Sequence, residues 1–286
     1  MTKTEALLKM SEDIKLRGLS ESTATSYPYH VKRFFAFCDT EDVSTIDELD
    51  VREYVLYMID AGMQNSTINT IISTIRFFFG ATMNRTVNYL QLPRMKNRRK
   101  FRTILDRDEI CDLIRSLSHD LKYQAIVMLG YGSGLRICEV ASLKVRNIDR
   151  KNNRLIIENG KGGKDRFALL PKETLQVLGD YWRAYKPDPN GYLFPDAKHG
   201  HVKTSKIAYD FKKILKWSTI EKHITFHTLR HSFATHMLEN GVNIIKLKEL
   251  MGHNTITTTM RYLHLLNNTD DAVSPLTDIF VSGVID

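Results

Sequence analysis

Six cations crowd into the nine residues Arg94-Met95-Lys96-Asn97-Arg98-Arg99-Lys100-Phe101-Arg102, which follow Pro93 and contain no acid. Such a run reads as a solvated connector between domains, and its cations would track a phosphate backbone well. The chain on either side must then build its own core. With 286 residues and 42% hydrophobic content there is material for two cores. The expected division is a helical domain over residues 1–92, the connector over 93–102 and a second domain over 103–286.

Apolar residues three or four apart predict helices over Thr4–Arg17, Ser22–Cys38, Thr45–Ala61 and Ser66–Gly80. Thr45 and Glu48 have the capping-box interval, Ser66 is placed to cap the next run, and Gly18 and Gly62 are suitable stops. Pro28 predicts a bend or a helix that begins near it, because an interior proline removes a backbone donor. After the connector, Asp106-Arg107-Asp108-Glu109 opens a helix to Leu117, and others follow over Leu121–Gly130 and from Arg136 to Leu143. Arg154–Glu158 and Arg166–Leu170 read as strands of a hairpin around the glycine-rich turn Asn159-Gly160-Lys161-Gly162-Gly163-Lys164. Helical patterns resume over Lys172–Tyr185, Lys203–Lys213, Thr228–Asn240, Ile244–Met251 and Ile256–Leu265.

A net charge of +8 favours a polyanionic partner. No basic-then-apolar leader and no apolar run of about 18 residues occurs, so neither a secretory signal nor a membrane span is expected. Cys38, Cys111 and Cys138 are too few and too scattered for a disulfide framework or a zinc cluster, and read as buried or half-buried thiols in a reducing, cytoplasmic setting.

The chemistry-bearing residues are Arg136 in Gly132-Ser133-Gly134-Leu135-Arg136-Ile137-Cys138-Glu139, His227 and Arg230 in His227-Thr228-Leu229-Arg230-His231, His253 in Met251-Gly252-His253, and Tyr262. Arginine's planar fork suits phosphate oxygens, histidine moves protons near neutral pH, and a tyrosine hydroxyl can carry a phosphoryl group covalently. His227 and Arg230, at i and i+3, share one helix face and can address the same phosphate. The His227–His231 spacing also fits a metal pair, but the glutamate of His-Glu-x-x-His is missing, so no metal is expected. His231 and His236 read as structural. The glycines around Lys161 do not form a P-loop, since the Gly-Lys-Ser/Thr ending and its helix are absent.

These residues resemble the tyrosine recombinase (phage integrase) family, whose signature is small-Gly-Leu-Arg-x-x-Glu, a hairpin lysine, His-x-x-Arg, Leu-Gly-His and a tyrosine. The resemblance spans nearly the whole chain. It implies that the catalytic set is Arg136, Lys161, His227, Arg230, His253 and Tyr262, with Glu139 orienting the site from behind. Lys161 would protonate the departing 5′ oxygen, although Lys164 stands three residues on and the sequence leaves that choice open. His227 would take the Tyr262 proton or partner the phosphate, and His253 would donate to a phosphate oxygen. Met251, where leucine is usual, should alter only packing.

The implied fold is mainly α: a C-shaped clamp of a helical, SAM-like core-binding domain and an α-rich catalytic domain with a small antiparallel sheet. Double-stranded DNA is the implied partner, contacted by Arg94, Lys96, Arg98, Arg99, Lys100, Arg102 and Lys164. No cofactor is needed. Because the chain begins near the core-binding region, the resemblance favours a Xer or transposon type without an arm-site domain. Four protomers on two sites would be the active species. The apolar tail, Leu276, Ile279, Phe280 and Val281, would dock on a neighbouring protomer or fold back on its own chain. Two rival readings remain at this stage: a topoisomerase of type IB and a catalytically silent DNA-binding regulator.

Overall fold

The computed structural model describes all residues except 86–93, 97–102, 159–164, 197–199 and 264–286. The chain divides into two compact units, Met1–Lys100 and Phe101–Asp286. Most described residues are helical, and no described helix is long and apolar enough to cross a membrane.

The first unit holds α1 (Lys3–Leu16), α2 (Glu21–Cys38), α3 (Glu48–Asp60) and α4 (Asn65–Phe77), the last prolonged by a wide turn over Phe78–Thr82. Three of the four starts carry side-chain caps. Thr2 and Glu5 form a capping box on α1, Ser20 caps α2, and Asp47 with Asp50 boxes α3. Thr45, expected to begin the third helix, ends a short 3-10 turn instead, because Asp47 accepts from both Leu49 and Asp50 N–H groups. Ser66 lies inside α4, which starts one residue earlier.

Helix α2 runs through Pro28 rather than beginning there. Contacts on both sides of the proline hold it as one element: Tyr27 packs edge-on against Phe77, while Val31, Phe34 and Phe35 enter the core with Met10, Ile14, Ile68 and Phe78. Burying each phenylalanine contributes roughly 1.5–3 kcal/mol, comparable to the roughly 3 kcal/mol an interior proline costs.

The connector's first residues belong to this unit. Asn69 on α4 both donates to the Met95 carbonyl and accepts from its N–H at 2.9 Å, and Asn65 donates to the Lys96 carbonyl at 2.8 Å. Arg94 and Lys96 remain exposed. Arg98, Arg99, Lys100 and Arg102 lie outside the described residues.

The second unit begins with α5 (Arg107–Ser116), α6 (Leu121–Gly132) and α7 (Ile137–Ala141). A three-stranded antiparallel sheet follows in the order β1 (Ile148–Asp149), β2 (Arg154–Ile157), β3 (Arg166–Leu169). Then come α8 (Lys172–Tyr185), a small pair β4 (Pro195–Asp196) and β5 (Gly200–His201), α9 (Thr204–Leu215), α10 (Phe226–Glu239), α11 (Ile244–Met251) and α12 (Ile256–Met260). Neither β1 nor the β4–β5 pair was signalled by the periodicity.

Helix α6 is the hub, apolar around its circumference as expected of a fully surrounded helix. Its Gly130 lets α10 approach so closely that a Cβ there would meet Phe226 at 2.7 Å. All three cysteines are free, but Cys111 and Cys138 are exposed, against the expectation of buried thiols; only Cys38 is half-buried, and burial pushes its thiol up to about 12.

Candidate active site

Helix α11 ends in a turn closed by Gly252, whose φ of 60° allows the His253 N–H to reach the Lys248 carbonyl at 3.1 Å. A helix end leaves its last carbonyls without helical donors. Here three arginines from three other elements supply them. Arg166 Nε donates to the Leu250 carbonyl at 3.1 Å, Arg230 Nη2 to Met251 at 2.5 Å and Arg136 Nη2 to Gly252 at 3.1 Å. The negative end of the helix dipole favours this gathering of cations.

Glu139 is the carboxylate that makes the crowding tolerable. Arg136 caps α7, and its backbone N–H and Nη1 reach the two Glu139 oxygens at 2.8 and 2.7 Å. Arg166 grips the same carboxylate bidentately at 2.9 and 3.0 Å, and Arg230 Nη1 lies 3.8 Å away. Burial pushes the Glu139 carboxyl upward, but Arg166 and then Arg136 outweigh it and hold the group below the ordinary range. Three guanidinium groups share one carboxylate, so the site keeps net positive charge. Arg230 shows the strain: only 3% exposed, it is held down to about 10, first by burial and then by Arg136.

Arg230 also donates from Nη1 to the Gly134 carbonyl at 2.5 Å. Gly134 takes a φ of 61° against the Phe233 ring, where a Cβ would stand 2.5 Å from Cδ1. The glycine before Leu135-Arg136 is therefore required both by conformation and by space.

Tyr262 follows α12 rather than lying within it, and is 1% exposed among Phe233, Leu247 and Met251. Its hydroxyl is 2.9 Å from Nδ1 of His231, and its ring stacks on His253 at 6.3 Å with the planes 9° apart. Arg230 Nη2 lies 3.1 Å from Nε2 of His253. A guanidinium only donates, so Nε2 accepts and the proton sits on Nδ1, directed at Thr259 Oγ1 2.9 Å away.

Two contacts in this arrangement differ from those the expected roles suggest. The phenol's partner is His231, set aside as structural, in place of His227. His253 accepts from Arg230 instead of presenting a donor at Nε2. His227 is exposed at the start of α10, where partial burial, Arg230 and Arg136 hold it below the ordinary imidazole value. This favours its neutral form. Lys161 and Lys164 lie outside the described residues; the strands before and after them, β2 and β3, pair as far as Ile157 and Arg166. His236 is structural as expected, buried and 2.9 Å from the Tyr131 hydroxyl. Arg166 and His231 were missed. His231 had a signal, since it shares a helix face with His227.

Residues 90–269 match the model of the phage integrase family, and residues 7–89 match its N-terminal SAM-like domain. The chain belongs to the phage integrase, or tyrosine recombinase, family. A putative integrase/recombinase of Sinorhizobium fredii is 35% identical over 264 residues, covering 91% of this chain and 84% of that protein. A tyrosine recombinase of Thermosipho africanus is 31% identical over 275 residues, covering 91% and 95%. Among solved structures, a XerA recombinase shares 27% identity with a TM-score of 0.54, covering 99% of both chains. A lambda integrase dimer bound to a core site matches in fold, with a TM-score of 0.76 at 17% identity, covering 96% of this chain and all of that one. As a tyrosine recombinase the protein is a site-specific DNA-breaking and rejoining enzyme, and the topoisomerase and silent-regulator readings are not favoured.

Proposed function

We propose that this recombinase cuts one DNA strand by attack of Tyr262 on the scissile phosphate. The observation that supports this is the unbroken chain of contacts from the Tyr262 ring to His253, from His253 to Arg230, and from Arg230 to the α11 terminus that also holds Arg136. Arg136 and Arg230 hold the non-bridging oxygens as negative charge grows. Losing one such preorganised donor costs roughly 3 kcal/mol of barrier. His231 takes the phenol proton, its Nδ1 already facing the hydroxyl, and neutral His227 partners the phosphate. Lys161 on the hairpin, or Lys164 beside it, returns a proton to the departing 5′ oxygen.

The products are a 3′-phosphotyrosyl bond and a free 5′ hydroxyl. The energy of the broken ester is kept, so a hydroxyl from another strand reverses the step and exchanges partners. Tyr262 is buried, so its hydroxyl must become accessible to the phosphate before attack.

Membership of the family supports the remainder of the reading. Residues 1–92 clasp the core site, the cations of 93–102 follow the backbone, and residues 103–286 carry the chemistry. Four protomers assemble on two sites in the cytoplasm.

The test is covalent capture. Wild type is incubated with nicked duplexes of randomised core sequence, and complexes that resist detergent are recovered and sequenced. Wild type should yield an adduct with a defined inverted-repeat core, and Tyr262→Phe should yield none. An adduct that persists in Tyr262→Phe, or its absence from wild type on every duplex, would sink the proposal.

A further inference from the structure

We propose that Arg166 is a positioning residue for DNA cleavage, dividing the Glu139 carboxylate with Arg136 and fixing the hairpin strand to the end of α11. This rests on the reading of Arg136 and Arg230 as phosphate-holding groups. Arg166 opens β3, two residues after Lys164 in the sequence. Its side chain is 10% exposed. All three of its nitrogens are engaged: Nη1 and Nη2 on Glu139, and Nε on the Leu250 carbonyl.

Arg136 and Glu139 alone would form a neutral pair, the guanidinium holding its own carboxylate through Nη1 at 2.7 Å. Arg166 takes both carboxylate oxygens from the other side, so one carboxylate answers two guanidinium groups and the set keeps positive charge for a phosphate. Only a planar fork can do this, since an ammonium makes point contacts without the bidentate geometry. Gly252 is part of the device. A Cβ there would lie 2.6 Å from Arg166 Cδ and 2.8 Å from Nε, so the glycine that closes α11 also admits the arginine stem. Arg166 thereby joins the strand behind the hairpin lysines to the carbonyls that hold both phosphate-facing arginines.

The experiment compares wild type, Arg166→Met and Arg166→Lys on the nicked duplex recovered by covalent capture, made once with a phosphodiester and once with a neutral methylphosphonate at the scissile position. Arg166→Met should bind the duplex within about 2-fold of wild type and form adduct about 30-fold more slowly, less than the roughly 100-fold or more lost with a donor that itself touches the phosphate. On the methylphosphonate, which places less charge on the site, the deficit should shrink below about 3-fold. Arg166→Lys should fall between the two on the diester. Adduct formation within about 2-fold of wild type, or an equal deficit on both duplexes, would overturn the proposal while leaving the recombinase reading intact. If wild type itself forms no adduct, inorganic phosphate decides. A weaker thermal stabilisation of Arg166→Met than of wild type by inorganic phosphate then upholds the positioning role, and equal stabilisation refutes it.

Discussion

Replacing Glu139 with glutamine removes one charge and almost no volume, which isolates the electrostatic role of the residue around which the site is built. In the native site the carboxylate accepts from the Arg136 backbone, from Arg136 Nη1 and from both Arg166 nitrogens. A carboxamide offers one oxygen and turns an NH2 group toward donors. Three guanidinium groups are then left crowded at the α11 terminus without a counter-charge, one of them only 3% exposed. Breaking a buried ion pair on one side costs about 3–5 kcal/mol. For a unit of this size each kcal/mol moves the midpoint by about 2–4 °C, so Glu139→Gln should melt about 6–20 °C below wild type.

The chain supplies its own probe. Both tryptophans, Trp182 and Trp217, fall in the unit that contains Glu139, so their fluorescence follows that unit. Sulfate should raise the midpoint of Glu139→Gln more than that of wild type, because the variant leaves more uncompensated positive charge for an anion to meet. A variant melting within about 2 °C of wild type at low salt, with no extra gain in sulfate, would show that the carboxylate does not hold the arginines together.

Gly134→Ala places a methyl group 2.5 Å from Phe233 Cδ1 in a residue with φ of 61°. Left-handed strain of about 1–2 kcal/mol and overpacking of about 1–3 kcal/mol predict a loss of roughly 2–5 kcal/mol by the same fluorescence melt; an unchanged midpoint would mean that the loop yields freely. Acidification should destabilise the fold. His30, His227 and His236 are all held below 6.5, in each case chiefly by burial, so the unfolded chain binds protons first as the pH falls through 6.5. The stability they confer is fully present above that value and is lost toward the lower folded values. Thermal midpoints at pH 7.5, 6.5 and 5.5 should fall in that order, and a flat or rising series contradicts the reasoning.

Which parts were legible in the sequence follows from how local their causes are. The α8 and α11 boundaries are as the periodicity predicts, since apolar spacing sets both. Arg136, His227, Arg230, His253 and Tyr262 could be named from short motifs whose glycines and spacings have local reasons. Arg166 could not. In Arg166-Phe167-Ala168-Leu169 the alternation invites Phe167 and Leu169 inward, yet Ala168 is the buried residue, and Phe167 is 53% exposed beneath Arg154, whose guanidinium carbon is 4.1 Å from the ring centroid. Tertiary demand overrides the pattern: the strand turns its arginine inward because Glu139 and the α11 carbonyls wait there. His231 escaped for a similar reason. Its partner arrives from a residue 31 positions later, and no local rule specifies that meeting.

The same geometry links stability to reaction. Three arginines converge on the carbonyls of Leu250, Met251 and Gly252 and on one carboxylate, so the free protein keeps excess positive charge in a poorly hydrated place. That arrangement is unfavourable by itself, which is why Arg230 is held down to about 10. On the proposed reading a phosphodiester at this point would supply the missing negative charge, and the pentacoordinate state reached during attack would supply more. Interactions that grow between ground and transition state are the ones that accelerate a reaction. On the proposed reading the strain at Arg230 is the folded protein's side of catalysis: the fold tolerates a poorly compensated charge, and the scissile phosphate would be the group that meets it.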